Sequence, residues 1–410
     1  MAVDGINSSD HVVIIGAGQA GFSVTSRLRE IGFEGAITLL GDEAYPPYQR
    51  PPLSKGYLLG ELHEQRLYFR PPDYYAEKNI TLRLSTSARR IDKSKKIVEL
   101  SDGQKLVYDR LVLTSGARPR RLADEISANL QGIYYIRNLN DIDRIKQQFQ
   151  AGKQVLIMGG GYIGLEASAV ASKLGLKVTL IEQAERILQR VACAETSDYF
   201  RTLHISNGVD VRENTRLLKL TGKAGQAQHA LLNDDTTLAV DFVIVGIGIM
   251  PNSEIAAAAG LAVDNGICVN EYCQTSDTCI YAAGDVCSFL WQGERIRLES
   301  VGNAVDQAEV VARSIMGEPV KYRAKPWFWS DQFNIKLQIA GLAKGYDNIV
   351  IRRESEVGLS HWYYLGDKLI AVDAINTPRV YMLAKRLIEA DKSPAAEMAA
   401  DAAVDLRSLL

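Results

Sequence analysis

The chain has 410 residues, with 47 Lys+Arg against 49 Asp+Glu, and 47% of them are hydrophobic. That length supports two to four domains with large cores, and a net charge of −2 argues against a dominant nucleic-acid surface. No apolar run reaches the roughly 18 residues of a membrane span, and the polar stretch Met1–Asp10 has no signal-like apolar core, so the expectation is a cytoplasmic protein without membrane contact.

In chain order, the apolar run His11–Ile15 predicts a strand, Gly16-Ala-Gly-Gln-Ala-Gly21 a tight turn, and the residues through Arg29 a helix. A second strand over Ala36–Leu40 ends in Gly41, Asp42 and Glu43, which completes one βαβ unit of about 30 residues. Pro46–Pro72, rich in proline and aromatics, reads as an irregular excursion that carries contacts. Asp109–Pro119 predicts a strand running into a glycine turn.

The same grammar returns 143 residues after the first glycine turn, with a strand over Gln154–Met158 and the turn Gly159-Gly-Gly-Tyr-Ile-Gly164. A helix over Leu165–Leu174 and a strand over Lys177–Ile181 lead into Glu182. Asp241–Pro251 repeats the strand and glycine exit of Asp109–Pro119, and Cys279–Ala283 is a further strand ending at Gly284-Asp285. From Pro326 onward, alternating strands bearing Trp327, Trp329, Tyr363 and Tyr364 precede helical stretches, the pattern of an α+β domain.

One GxGxxG is weak evidence, but two complete units each ending in an acid are strong. In such turns the first glycine makes the bend, the second lets a pyrophosphate approach the backbone, and the third lets helix and strand pack closely. Gly16, Gly18 and Gly21 fit these roles, as do Gly159, Gly161 and Gly164. Glu182 stands where a carboxylate accepts the adenosine ribose hydroxyls and repels a 2′-phosphate, so the second unit predicts NADH in preference to NADPH. Arg186 is near enough in sequence to meet such a phosphate if Glu182 were removed. The first unit, with Asp42 or Glu43 as its acid, suits FAD or NAD equally.

The five cysteines, Cys193, Cys268, Cys273, Cys279 and Cys287, have no C-x-x-C pair and no spacing suited to zinc or an iron–sulfur cluster. No metal site is predicted, and buried inert thiols are expected.

Taken together, the two glycine units, Arg50-Pro-Pro-Leu-Ser-Lys55, Thr114–Arg118, Thr275–Asp285, Glu299–Ala304 and Pro326–Gln332 resemble the FAD-dependent ferredoxin reductases of oxygenase systems. The likeness runs over essentially the whole chain and is strongest to the putidaredoxin reductase type, which serves a cytochrome P450 through a [2Fe–2S] ferredoxin. It implies an α/β fold with two Rossmann-like dinucleotide-binding domains, glutathione-reductase-like, and a C-terminal α+β domain. The implied boundaries are 10–120 with 246–325 for FAD, 121–245 for NADH, and 326–410 for the last domain.

The resemblance also implies site residues. Asp42 would hold the FAD ribose, Arg50 and Lys55 would lie near the pyrophosphate and flavin, and Arg137 would be a further FAD contact. Asp285 would meet the ribityl chain and Val301 the isoalloxazine. Ala88, Ile163, Gly246 and Trp329 are further implied cofactor contacts. Glu166 would face the nicotinamide and pair with Lys55, these two forming the catalytic pair. The ferredoxin would dock on Arg70, Lys336 and Trp327, with the enzyme a monomer or weak dimer.

Gly302, Glu309 and Gln338 depart from the family pattern, the last two replacing basic residues at ferredoxin-contact positions, so a different partner surface is expected. Reductases of aromatic-ring dioxygenases are the near alternative. A disulfide reductase or NADH oxidase would need a redox cysteine between Asp42 and Lys55, where the sequence has none. A flavin-bearing signalling protein would favour a basic surface or targeting segment.

Overall fold

The computed structural model describes residues 6–409. In chain order the elements that position the site are β1 (His11–Ile15), α1 (Gln19–Glu30), β2 (Ala36–Leu40), β3 (Ile80–Arg83) and β4 (Arg110–Leu113). Next come β5 (Ile133–Tyr135), β6 (Gln154–Met158), α2 (Tyr162–Lys173), β7 (Lys177–Ile181), α3 (Ala194–Ser206), β8 (Asp210–Arg212) and β9 (Phe242–Val245). The chain continues through β10 (Ile280–Ala282), α4 (Val301–Ile315) and β11 (Trp327–Gln332). It ends with β12 (Ile335–Gly341), β13 (Asn348–Arg353), β14 (Leu359–Leu365), β15 (Lys368–Ile375) and α5 (Pro378–Glu389).

Packing divides the chain into two compact units. One comprises the chain up to Gln49, His63–Arg118 and Ile249–Pro326; the other comprises Arg50–Leu62, Pro119–Gly248 and Trp327–Leu410. The excursion through Arg50–Leu62 thus packs with the second nucleotide-binding region, as does the C-terminal segment.

The first unit is built on a parallel sheet in the order β10-β4-β1-β2-β3. Strands covered on both faces need continuous apolar runs, which is why Val12, Val13 and Ile14 are fully buried where an alternating strand would expose one of them. α1 and α4 cover one face, and Val12, Leu28, Leu39, Val112, Tyr281 and Val311 share its core. Each fully buried Leu or Ile side chain contributes about 1.5–3 kcal/mol of transfer free energy. A smaller antiparallel sheet, Ala88–Asp92 with Ile97–Leu100 and Lys105–Val107, belongs to the same unit.

The second unit repeats the design, with a parallel sheet in the order β8-β7-β6-β9-β5. α2 begins at Tyr162, inside the glycine turn and three residues before the predicted start at Leu165. Gly161 serves as its extended N-cap, so the first helical turn is made by the motif itself. The C-terminal segment is an antiparallel sheet in the order β11-β12-β15-β14-β13. Its core holds Trp362, Val372, Val380 and Leu387, with α5 laid against it.

Candidate functional site

The two glycine turns are built alike. A Cβ on Gly16 would lie 2.2 Å from the Thr114 carbonyl oxygen, and one on Gly159 would lie 2.3 Å from that of Gly246. Both glycines also have positive φ, +115° and +103°, so no other residue fits the bend. At the third glycine the helix touches the turn: a Cβ on Gly21 would meet the Gly16 oxygen at 1.9 Å, and one on Gly164 the Gly159 oxygen at 2.0 Å. The middle glycines differ, because a Cβ on Gly18 or Gly161 would meet nothing within 4 Å. Each of these is the N-cap of a twelve-residue helix and offers no side chain to its free N–H groups. An open, donor-rich helix N-terminus is what a dinucleotide pyrophosphate needs, and both turns fit one.

Glu182 follows β7 beside the second turn. Its carboxylate accepts the Gly160 N–H at 2.7 Å through one oxygen and the Ala184 N–H at 2.8 Å through the other. These bonds orient the group and leave lone pairs on both oxygens for ribose hydroxyls. Arg186 is already committed: its guanidinium donates to the Cys193 carbonyl at 3.1 Å and to the Ser197 hydroxyl at 2.5 Å. An approach to a 2′-phosphate, expected if Glu182 were removed, would have to break these two bonds.

In the first unit, Asp42 is exposed just beyond β2, while its neighbour Glu43 accepts the Tyr48 hydroxyl at 2.6 Å. Gly284 packs against Ala20 in the first turn of α1, and Asp285 follows it directly in the chain. Val301 opens α4, whose N-cap Ser300 accepts the Asn303 N–H at 3.1 Å. Gly302, one of the departures, is buried in the first turn of that helix. Ala88 lies at the start of the small antiparallel sheet, on a different element from the turn.

In the second unit, the Arg50 guanidinium donates to the Arg137 carbonyl at 2.8 Å, joining two of the predicted contacts. Ile163 is exposed on the first turn of α2. Glu166, two residues past Gly164, is 3% exposed. Its carboxylate pairs with Lys55 Nζ at 2.8 Å and accepts the Ser54 hydroxyl at 2.6 Å and the Ser330 hydroxyl at 2.7 Å. A buried carboxylate with an ion pair and two hydroxyl donors is a fixed charge, not a surface one. Sequence reading expected Lys55 and Glu166 to pair, as they do, but named no role for the two serines.

β11 explains why. Its residues alternate, placing Trp327 and Trp329 on one face and Ser330 and Gln332 together on the opposite one. The two indoles stack with ring centroids 5.4 Å apart and 22° between planes, and both are half-buried, so neither is core. Gln338 sits across from Trp329 on β12, and Lys336 is exposed on the same strand with Asp331 at 3.9 Å. Arg70, in the other unit, is exposed with its guanidinium 5.6 Å from the centre of the Tyr74 ring. Glu309 there lies between Arg27 and Arg313 and bonds both.

A second buried polar group was not foreseen at all. Cys193, His361 and Asp373 converge, and the Thr196 hydroxyl stands among them, 2.7 Å from both His361 Nδ1 and Asp373 Oδ2 and 3.4 Å from Cys193 Sγ. Tyr363 also donates to Asp373. Burial raises the Asp373 carboxyl to about 6 and lowers His361 to about 4. The thiols of Cys193, Cys273 and Cys287 are buried and pushed up by desolvation, which opposes thiolate chemistry. Among the described residues no helix is long and apolar enough to cross a membrane.

Comparison with known proteins agrees with this architecture. Residues 10–308 match the family model described as pyridine nucleotide-disulphide oxidoreductase, and residues 327–410 match the reductase C-terminal model. The chain is 41% identical to putidaredoxin reductase of Pseudomonas putida, covering 99% of this chain and 98% of that protein. It is also 41% identical to rhodocoxin reductase of Rhodococcus erythropolis, over 97% of this chain and 93% of that one. Among solved structures, the covalent putidaredoxin reductase–putidaredoxin complex superposes with a TM-score of 0.95 at 41% identity, covering 98% of each chain. The ferredoxin reductase for the CYP199A2 system of Rhodopseudomonas palustris superposes with a TM-score of 0.94 at 40% identity, over 97% of this chain and 99% of that one. With both glycine turns built for a dinucleotide and the family model spanning both, the chain belongs to the pyridine nucleotide-disulphide oxidoreductase family and is an oxidoreductase of FAD and NAD(H).

Proposed function

We propose that this protein is an NADH-dependent ferredoxin reductase that passes electrons to a [2Fe–2S] ferredoxin serving a cytochrome P450 monooxygenase. The observation that carries the reading is full-length likeness to putidaredoxin and rhodocoxin reductases in a chain whose first cysteine is Cys193. A disulfide-reducing or cysteine-based oxidase member of the family needs a redox sulfur in the Asp42–Lys55 stretch, and a reductase of one-electron carriers does not. Bound FAD supplies the redox chemistry, taking two electrons from NADH and releasing them singly.

The chain's own residues bind and orient. Gly16, Gly18 and Gly21 with the N-terminus of α1 receive the FAD pyrophosphate, Asp42 its ribose, and Asp285 its ribityl chain, with Ala88, Val301, Arg50, Arg137 and Trp329 as further contacts. Gly159, Gly161 and Gly164 with α2 receive the NADH pyrophosphate, Glu182 its ribose, and Ile163 and Gly246 flank it. Lys55 and Glu166 meet the nicotinamide as a neutral, fixed pair, so the reacting end enters a site whose charge is already balanced. We place the ferredoxin on Arg70, Lys336 and Trp327. The domain limits that go with this reading are 10–120 and 246–325 for FAD, 121–245 for NADH and 326–410 for the C-terminal domain.

The test is NADH oxidation by the FAD-loaded protein with three acceptors: a P450-type [2Fe–2S] ferredoxin, a rubredoxin and dioxygen. Fast, saturable reduction of the ferredoxin is expected. Turnover confined to dioxygen or to rubredoxin would overturn the reading.

A further inference from the structure

Beyond Glu166 the hydrogen bonds continue. Ser330 Oγ, which donates to Glu166 Oε1 at 2.7 Å, accepts Gln332 Nε2 at 3.1 Å. Gln332 Oε1 lies 2.9 Å from His204 Nε2, near the end of α3. His204, Ser330 and Gln332 are all fully buried, and His204 Nδ1 has no partner. The chain thus runs from α3 through β11 to α2, within one packing unit.

The direction of these bonds follows from donor and acceptor chemistry. A carboxylate paired with Lys55 can only accept, so the single hydroxyl hydrogen of Ser330 must point at it. The Ser330 oxygen is then left to accept, which requires the amide nitrogen of Gln332 on that side. The Gln332 oxygen therefore faces His204, so His204 must carry its hydrogen on Nε2. Its Nδ1 is then a bare lone pair, which accounts for a buried ring nitrogen without a partner. Reversing any link would leave Glu166 without the Ser330 donor and would bury a second unmatched group.

We propose that Ser330, Gln332 and His204 are positioning residues that form a one-way hydrogen-bond chain holding the Glu166 carboxylate, and through it Lys55, in place for the nicotinamide. The functional half rests on the reductase reading above; the direction of the chain does not. β11 then serves two purposes, with tryptophans on one parity of its residues and the tether of Glu166 on the other.

Two measurements on the FAD-loaded protein test it. With ¹⁵N-histidine labelling, the His204 signal, assigned by its loss in His204→Gln, should show a protonated Nε2 and a bare Nδ1. Ser330→Ala should relax this to a mixture of tautomers. In stopped flow, Ser330→Ala should slow flavin reduction by NADH about tenfold, while Ser330→Thr, which keeps the hydroxyl, should stay within about twofold. In a Glu166→Ala background the Ser330→Ala change should cost less than about twofold, because the acceptor of the Ser330 hydroxyl is gone. Additive losses in the two backgrounds, or a His204 protonated on Nδ1, would overturn the proposal. If the unmodified protein were not reduced by NADH at all, the reductase reading would fail, while the tautomer measurement would still decide the chain.

Discussion

At the scale of single residues, Glu182 does two things with one carboxylate. Its bonds to the Gly160 and Ala184 N–H groups stiffen the second turn, and on the proposed function its remaining lone pairs would receive the ribose hydroxyls. Glu182→Ala should therefore lose NADH affinity, raising its KM about tenfold, without acquiring NADPH, since Arg186 is held by Ser197 and the Cys193 carbonyl. Comparing kcat/KM for both nucleotides checks this; a gain with NADPH would show that Arg186 lets go of its partners. His204 supplies a second residue-scale prediction. Burial lowers it to about 4 from 6.5, only partly offset by Gln332. Between those values the unfolded chain binds a proton that the folded chain refuses, so the His204 contribution is complete above pH 6.5 and lost as pH falls toward 4. The loss is about 2 kcal/mol by pH 5. His361 acts in the same direction, while Asp373, raised to about 6, adds stability as pH falls through that range. The measurement is thus the difference between the unmodified protein and His204→Gln, which keeps a donor toward Gln332. Unfolding free energies from urea titrations of the two proteins should diverge by that amount between pH 7 and pH 5, and parallel pH dependences would refute the assignment.

At the scale of elements, what was legible in the sequence is what backbone geometry demands locally. Gly16, Gly21, Gly159 and Gly164 cannot be other residues, because a Cβ would strike a carbonyl oxygen, so the turns and the strands beside them could be read directly. The same holds for the stacked Trp327 and Trp329, whose spacing is that of one strand face. The start of α2 was placed late because the motif glycines lower helix propensity while tertiary packing enforces the helix from Tyr162. Thr196, His361 and Asp373, or His204 and Gln332, left no local trace, since they meet only after folding across more than 100 residues of chain. Arg352 on β13 is another such case. It is 3% exposed, and its guanidinium donates to the carbonyls of Ala399, Asp401, Ala402 and Val404 while pairing with Glu354. The last segment of the chain is therefore clamped by one planar fork. Arg352→Met should cost about 3 kcal/mol in denaturant unfolding and make residues 396–409 protease-sensitive. Arg352→Lys should not restore it, because an ammonium cannot reach four carbonyls at once. A midpoint unchanged in the Met variant would show that the segment docks by apolar contact alone.

At the scale of the whole molecule, a net charge of −2 gives no long-range pull on an acidic ferredoxin, so recruitment must depend on local cations. Arg70 is suited to this. It is exposed, its guanidinium lies over Tyr74 and donates to the Phe69 carbonyl at 2.9 Å, and among the described residues no ion pair engages it. Such a charge is partly ordered before encounter and is not neutralised by the protein's own carboxylates. Glu309 points the opposite way. The resemblance implies a basic residue at this position, whereas Glu309 is an acid occupied with Arg27 and Arg313, so it cannot contribute attraction. The cognate ferredoxin should therefore depend more heavily on Arg70 and Lys336. Arg70→Glu should raise the KM for the ferredoxin about five- to tenfold and leave NADH-driven reduction of ferricyanide within about twofold, because the charge acts on encounter between proteins. Raising the ionic strength should shrink the difference between the two proteins, since the interaction is screened over about 10 Å at 0.1 M salt. An equal loss with both acceptors would move the effect of Arg70 into NADH oxidation itself. A ferredoxin KM insensitive to salt would mean that docking relies on apolar contact, with Trp327 as the place to look.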